Sequence, residues 1–475
     1  MRPFVSLILF AQFLFIHVYG SGMEKNPKIV VVGAGLAGLT TAYRLHQHGW
    51  DVEVYEARNR VGGRVFTVQV GDSLAELGAV NILDGGEAHN LRQLIQELGL
   101  ETEGYIRFLS LKYFDGQTVR NVDKRLSNLG FSQEEIMAKL QAAARSAANM
   151  QEVLDALVKA DDPIYTILKV HLAAYEGAPL HKLSTFYIKT LYHLLLGGLS
   201  SVHPGSSGEE SKIEFQFVKG GNSLITESLA EALQGRVHCQ QPLKSIEKTK
   251  SGRYKLNFGA KESVEADIVI LAIPCKVYDD IEFEDSVIPD ERLKVIRQVE
   301  YGTNAKILFP VSPYNTQGKP HTNGKVVLFF NRDMRVANVY YTYDYGHFTP
   351  ETIEEVFQHD FKFIEKAYTL LPFAKPPVVA EDKAFVRYEG PVGVSWPLDP
   401  YSKGSYSCVG AGQEETFCRL EEVGNERVKT LFAPVDDTLY FAGEHATIDL
   451  DTGGTMEAAV ESGERTARMI LKVLK

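Results

Sequence analysis

The sequence predicts an α/β protein built on a nucleotide-binding βαβ unit, and three observations carry that expectation. Residues 28–55 pass from an apolar, β-branched run through a glycine-rich turn and a helix-forming segment into a second alternating run. Strands return at 243–247, 254–258, 266–273, 301–309 and 439–442. Between them, residues 126–196 carry helical periodicity and read as a helical insertion in the nucleotide-binding fold.

In chain order, the first feature is one arginine followed by a mostly apolar run from Phe4 to Val18. That length suits the core of a signal peptide better than a bilayer span of about 20 residues. Val18-Tyr19-Gly20 offers a small-residue cleavage site, so residues 1–20 are expected to be a signal peptide and the protein exported, periplasmic or secreted. Left uncleaved, the same segment would be a membrane anchor. The chain has no N-x-S/T sequon, which leans toward a periplasm.

The βαβ unit follows. Residues 28–32 read as a strand buried on both faces, and Gly33-Ala34-Gly35-Leu36-Ala37-Gly38 is a G-x-G-x-x-G turn into a helix that ends near His48. Gly33 makes the tight turn, Gly35 admits a pyrophosphate to the backbone, and Gly38 lets helix and strand pack closely. The helix N-terminus offers that anion unpaired N–H groups and the positive end of the dipole. Glu56 ends the second strand, where a carboxylate accepts bonds from ribose hydroxyls and repels a 2′-phosphate. The motif alone leaves NAD and FAD both open.

Composition narrows the class. The chain has 475 residues, is 44% hydrophobic and 23% charged, and carries a net charge of −11, which argues against nucleic acid as partner and mildly suits a cationic substrate. Four cysteines are too few for a disulfide framework at this length. No Cys/His cluster suggests a metal, and no Ser/His/Asp set or carboxylate pair suggests a hydrolase. Ser132-Gln133-Glu134-Glu135 reads as a capping box, Asp162-Pro163 as a helix start, and residues 354–371 as a helix.

Residues 56–64 (EARNRVGGR) resemble the extended fingerprint of flavin enzymes, in which a second Gly-Gly-Arg turn backs the first loop. By that resemblance the cofactor is FAD, with Arg58, Gly63 and Arg64 added to its site and Arg64 a cationic fork beside the pyrophosphate. Further stretches carry the likeness onward. Residues 75–82 (AELGAVNI) resemble the segment that amine-oxidising flavoenzymes place beside the isoalloxazine ring, with Gly78 and Ala79 against it. Residues 217–273 resemble the middle third of that family, where the backbone at Val237 meets the adenine, and 395–406 resemble its Trp396/Tyr406 segment. Residues 439–471 resemble its C-terminal motif, with Glu444 toward the ribityl or phosphate side and Gly454, Thr455 and Met456 at a helix start below the flavin.

The chain is thus similar to flavin-containing amine oxidases, with their monoamine, polyamine and L-amino-acid branches. The fold implied is a discontinuous, doubly wound FAD-binding (Rossmann-like) domain interleaved with a substrate domain of mixed sheet plus helices. The expected pieces are FAD-binding at 24–84, 211–290 and 391–475, and substrate-binding at 85–210 and 291–390. The resemblance also implies that Lys306 points at flavin N5 through a water and that Tyr406 is one wall of an aromatic cage for the amine. Ser405 stands where monoamine oxidases have the flavin-linking cysteine, so FAD is expected to be non-covalent. Thr455 stands where the second cage aromatic would be, which puts a simple monoamine substrate in doubt.

The activity implied is oxidation of a polyamine or primary amine to an imine, with O2 reduced to peroxide and the imine hydrolysed. L-Amino-acid oxidation is the alternative. That branch commonly has arginine where Asn81 stands, a role that Arg107 or Arg387 could fill here. Asp84 and Glu87 are the expected attractors of an ammonium group. A flavin desaturase and a non-catalytic flavoprotein are further alternatives, and a homodimer is left open.

Overall fold

Five strands drawn from distant parts of the chain meet in one parallel sheet. They are β1 (Ile29–Val32), β2 (Val52–Tyr55), β3 (Val237–His238), β4 (Ile268–Leu271) and, after β5 (Ala305–Pro310) of another sheet, β6 (Leu439–Phe441). The order across the sheet is β6-β4-β1-β2-β3, every neighbour parallel. The computed structural model describes residues 26–82, 88–107, 112–114, 119–121, 132–197, 213–259, 263–311, 321–322, 324–331, 333, 335–356, 387–388 and 390–474. The apolar N-terminal run, Asp84 and Glu87 lie outside these described residues, as does most of the helix expected at 354–371.

β1 is buried on both faces because its alternate residues feed two different cores. Ile29 and Val31 join α1 (Leu36–Gln47) and the C-terminal helix, and Val30 and Val32 face a smaller sheet that holds Ile246, Tyr254 and Phe258. That smaller sheet runs Val264–Ala266, Tyr254–Phe258, Leu243–Lys248, Glu282–Phe283. The C-terminal helix approaches α1 so closely that a Cβ on Gly463 would lie 2.6 Å from the Ala37 carbonyl oxygen. A buried carboxylate of the same helix, Glu457, accepts the backbone N–H groups of Asn90 (3.1 Å) and Leu91 (2.7 Å). It therefore caps the helix His89–Glu97, whose own N-cap residue Ala88 has no side chain to do so.

The second layer is a seven-stranded sheet in which β5 lies between Val392–Ser395 and Val336–Tyr341. Packed nearby is the helical block, containing α2 (Pro163–Glu176), which starts on an Asp162 cap with Pro at its first turn and ends on Gly177 in the left-handed conformation. The Ser132–Glu135 capping box forms with both of its hydrogen bonds. The C-terminal helix is α3 (Met456–Val473).

Two single-strand expectations are corrected. The stretch 301–309 divides into Glu300–Tyr301, paired with Ser407–Cys408, and β5 in the larger sheet. At the break, a Cβ on Gly302 would meet the Ser405 hydroxyl at 2.3 Å and the Gly177 carbonyl at 2.6 Å, so three segments converge there. The stretch 266–273 likewise divides at Asp267, which accepts from the Lys28 N–H (2.8 Å), and its halves enter different sheets.

Two stability experiments follow. Glu457→Ala removes an acceptor shared by two helix-terminal N–H groups and should lower unfolding free energy by about 1–3 kcal/mol, read as a lower Tm. His171, on α2, is 5% exposed, its Nε2 has no partner among the described residues, and burial pushes its imidazole down to about 4. Its contribution is therefore complete above the unfolded value of about 6.5 and drains as pH falls toward the folded value. The difference in unfolding free energy between wild type and His171→Leu should fall by about 2 kcal/mol from pH 7 to pH 5 in chemical denaturation.

Candidate functional site

A cavity of about 730 Å³ runs from the turn after β1 to the helical block and the seven-stranded sheet. Its first half is made of backbone turns. Gly33 has φ +104°, and a Cβ there would lie 2.6 Å from the Ala272 carbonyl. One on Gly38 would lie 2.1 Å from the Gly33 carbonyl, whereas one on Gly35 would meet nothing within 4 Å. The turn is thus packed on one side and open on the other, the shape needed for a pyrophosphate to reach N–H groups. The second turn backs the first, for Gly62 N–H donates to the Ala34 carbonyl (2.8 Å). Glu56 lines the cavity and accepts from the N–H groups of Ala34 (2.8 Å) and Arg58 (2.9 Å).

The two arginines differ. Arg58 is on the wall, but its guanidinium pairs with Asp399 and donates to the Ser402 hydroxyl (2.9 Å). Arg64 donates to the Ser405 carbonyl and to Glu444, each at 2.9 Å. Burial would raise the Glu444 carboxyl, yet Arg64, His445 and two bonds from Ser407 hold it below the usual carboxylate range. Burial pushes the neighbouring His445 down to about 4, and its carbonyl accepts from Lys429 (2.9 Å), itself pushed by burial down to about 8. Sequence reasoning missed both, although His445 directly follows Glu444.

Toward the middle, Gly78, Ala79, Trp396, Ser405, Glu444, Gly454, Thr455 and Met456 share the wall with Lys306. Lys306, 4% exposed on β5, donates to the carbonyls of Glu76 (3.1 Å) and Gly78, tying the seven-stranded sheet to the turn before Ala79. Burial pushes the Glu76 carboxyl up to about 7. The Ser405 hydroxyl is buried with no partner among the described residues. An elongated cleft with an open glycine turn, an acid at a strand end, a paired cation and this orphaned hydroxyl fits FAD. Val237 pairs with Val54 in the edge strand of the parallel sheet, and Gln241, Pro242 and Leu243, just beyond it, line the cavity.

At the far end, the Tyr406 ring is fitted between two glycines. A Cβ on Gly177 (φ +89°) or Gly454 (φ +77°) would come within 2.7 Å of it. Its hydroxyl donates to the Tyr175 carbonyl (2.8 Å) and accepts from the Asn304 amide (2.9 Å), which also donates to the Tyr340 hydroxyl (2.8 Å). Asn304 and Tyr340 were not foreseen. Thr455 is on the wall, but its hydroxyl caps α3, accepting from Ala458 N–H (3.2 Å) and donating to the Thr452 carbonyl (2.7 Å). Asn81 lines the cavity, and so do His171 and Glu176 of α2, which no motif had marked. The side chains of Arg107 and Arg387 lie outside the described residues. Among the described residues no group of His, Cys, Asp and Glu could hold a metal.

The chain resembles known proteins along most of its length. It is 23% identical over 501 residues to an L-amino-acid oxidase of Sistrurus catenatus edwardsii, covering 97% of this chain and 90% of that one. It is 27% identical over 491 residues to flavin-containing amine oxidase B of Sus scrofa, covering 95% and 87%. Among solved structures, cyclohexylamine oxidase from Brevibacterium oxydans superposes with a TM-score of 0.70 at 20% identity, over 94% of this chain and 99% of that one, which is a likeness of fold. The model of the flavin-containing amine oxidoreductases matches residues 36–471, so this chain belongs to that family and is an FAD-dependent enzyme that oxidises amines.

Proposed function

We propose that the protein is an oxidase of a primary amine or polyamine, exported from the cell, that passes the electrons to O2 and releases hydrogen peroxide. The observation that carries this reading is the continuity of one cavity from the glycine turn to Tyr406, past Lys306. Bound FAD would accept a hydride from the carbon that bears the nitrogen. The chain's own task is positioning. Tyr406, its ring seated against Gly177 and Gly454 and its hydroxyl anchored by Asn304, presents an aromatic wall that holds the amine and excludes water. Lys306 fixes the turn at Gly78 and supplies a cation where O2 or a water would meet the reduced cofactor. Loss of hydride and proton leaves an imine, and water converts it to a carbonyl compound and ammonia or a smaller amine. The two electrons and two protons convert O2 to H2O2.

Ser405 offers no thiol, which supports non-covalent FAD. Asn81 on the wall weighs against an α-carboxylate, whereas the relatives named L-amino-acid oxidase support the second reading, oxidation of an amino acid.

The test is to mix the purified protein with diamines, monoamines and the twenty amino acids, following flavin bleaching without oxygen and peroxide in air. Bleaching by an amine and by no amino acid is the expected result, and bleaching by amino acids alone would replace this reading with the second. Acid precipitation should leave the yellow colour in the supernatant. Lys306→Met should retain FAD and slow turnover by about ten-fold or more.

A further inference from the structure

α2 ends in a manner that its own electrostatics oppose. The C-terminus of a helix carries partial negative charge on its unpaired carbonyls, and basic residues are stabilising there. α2 has no basic residue in its last turn and closes instead on Glu176, immediately before Gly177. The carboxyl lines the cavity, with one oxygen accepting from the Thr190 hydroxyl of the next helix.

Among the described residues no Lys, Arg or His forms an ion pair with Glu176. The basic side chains of the neighbouring segments are engaged elsewhere, Lys189 with Asp451 (3.2 Å) and Lys182 with Glu300 (3.0 Å). His171, on α2 itself, is kept neutral by burial. The other titratable groups around it are Tyr187, Tyr406 and Cys408, none of them cationic. Burial without a cation pushes the carboxyl up to about 8, so at neutral pH it holds a proton that a bound cation would displace.

Lys189 also lines the cavity, paired with Asp451, while the helix end and the ring beside the carboxyl are of negative polarity. The carbonyls of Ala174 and Tyr175 converge on the Tyr406 hydroxyl, and the ring itself, whose face is negative, packs against Gly177. Tyr175 and Phe186 both line the cavity and are 41% and 36% exposed, so the cavity opens beside Glu176. A carboxyl, a helix C-terminus and an aromatic ring between the opening and the oxidation site make a cation-binding wall.

We propose that Glu176 is the specificity-determining carboxylate of this cavity and takes the second, non-reacting ammonium of a diamine or polyamine. The proposal rests on the amine-oxidase reading above and names its substrate class.

The test uses the dithionite-reduced holoenzyme under argon, so that ligand is bound and not consumed, and titrates it calorimetrically with 1,4-diaminobutane and with butylamine. Wild type should bind the diamine more tightly. Glu176→Gln, which keeps the acceptor for Thr190, should weaken the diamine ten-fold or more and change butylamine by less than about two-fold. Glu176→Asp should retain most of the diamine affinity. Equal losses for the two ligands, or no loss for the diamine, would overturn the proposal.

Wild type alone gives a second readout should the Gln variant fail to fold. Near pH 7 the diamine should release about one proton more than butylamine, seen as a buffer-dependent heat, and an equal release would also overturn the proposal. Turnover in air is scored separately: a wild type that oxidises no amine defeats the amine-oxidase reading, while the binding difference still decides the role of Glu176.

Discussion

The ion pair between Arg64 and Glu444 is the contact on which the cavity depends. Its partners are 380 residues apart, one in the turn after β2 and the other in the turn after β6. The Glu444 carboxylate is buried and Arg64 only partly so, and a buried carboxylate left without its cation is costly, so the turn after β6 depends on the turn after β2. Ser407 adds two bonds to the same carboxylate, and the Ser405 carbonyl accepts from the same arginine. Three remote segments are thereby fixed around one point. The pair acts less as a source of net stability than as a device that sets which surfaces face one another.

The consequences spread outward. With the Ser405 segment held against Arg64, Tyr406 must fall between Gly177 and Gly454, positions where any side chain would collide with the ring. Gly302 is compressed between Ser405 and Gly177, so the chain cannot continue as one strand from Tyr301 to β5. β5 then starts at Ala305, and its second residue, Lys306, is directed at the carbonyls of Glu76 and Gly78. The placement of the lysine is therefore a geometric result of packing around the pair.

What could be read from the sequence follows from the range of the interactions involved. The βαβ unit, the capping box and the Asp162-Pro163 start are local, and each is written in adjacent residues. The motif residues that line the cavity were legible for the same reason. The strands at 266–273 and 301–309 were read as continuous because a strand that crosses from one sheet to another keeps its alternation; only the contacts at Asp267 and Gly302 reveal the division. Gln241 to Leu243 reach the cavity because the edge strand at Val237 is only two residues long and the chain turns after it, which no local pattern announces. Asn304, Tyr340 and Lys429 carry no local signature, because each matters through a partner far along the chain.

Glu176 is a different case, since a local sign of it was present. An acidic residue directly before a helix-ending glycine contradicts the helix dipole, and such breaches of local preference tend to collect at functional sites. Its significance joins that of Thr455, whose hydroxyl is committed to capping α3 and which offers no aromatic face. Without a ring at position 455 to face Tyr406, an amine would be held less symmetrically than in a cage, and on the proposed reading selection comes from elsewhere in the cavity. The helical block supplies that surface with His171, Tyr175 and Glu176, while the flavin-side turns come from the sheet and α3. On the proposed reading, chemistry and selection are carried by different layers of the fold, joined at the Tyr406 ring. Substitutions in α2 can retune the ligand without moving Arg64, Glu444 or Lys306.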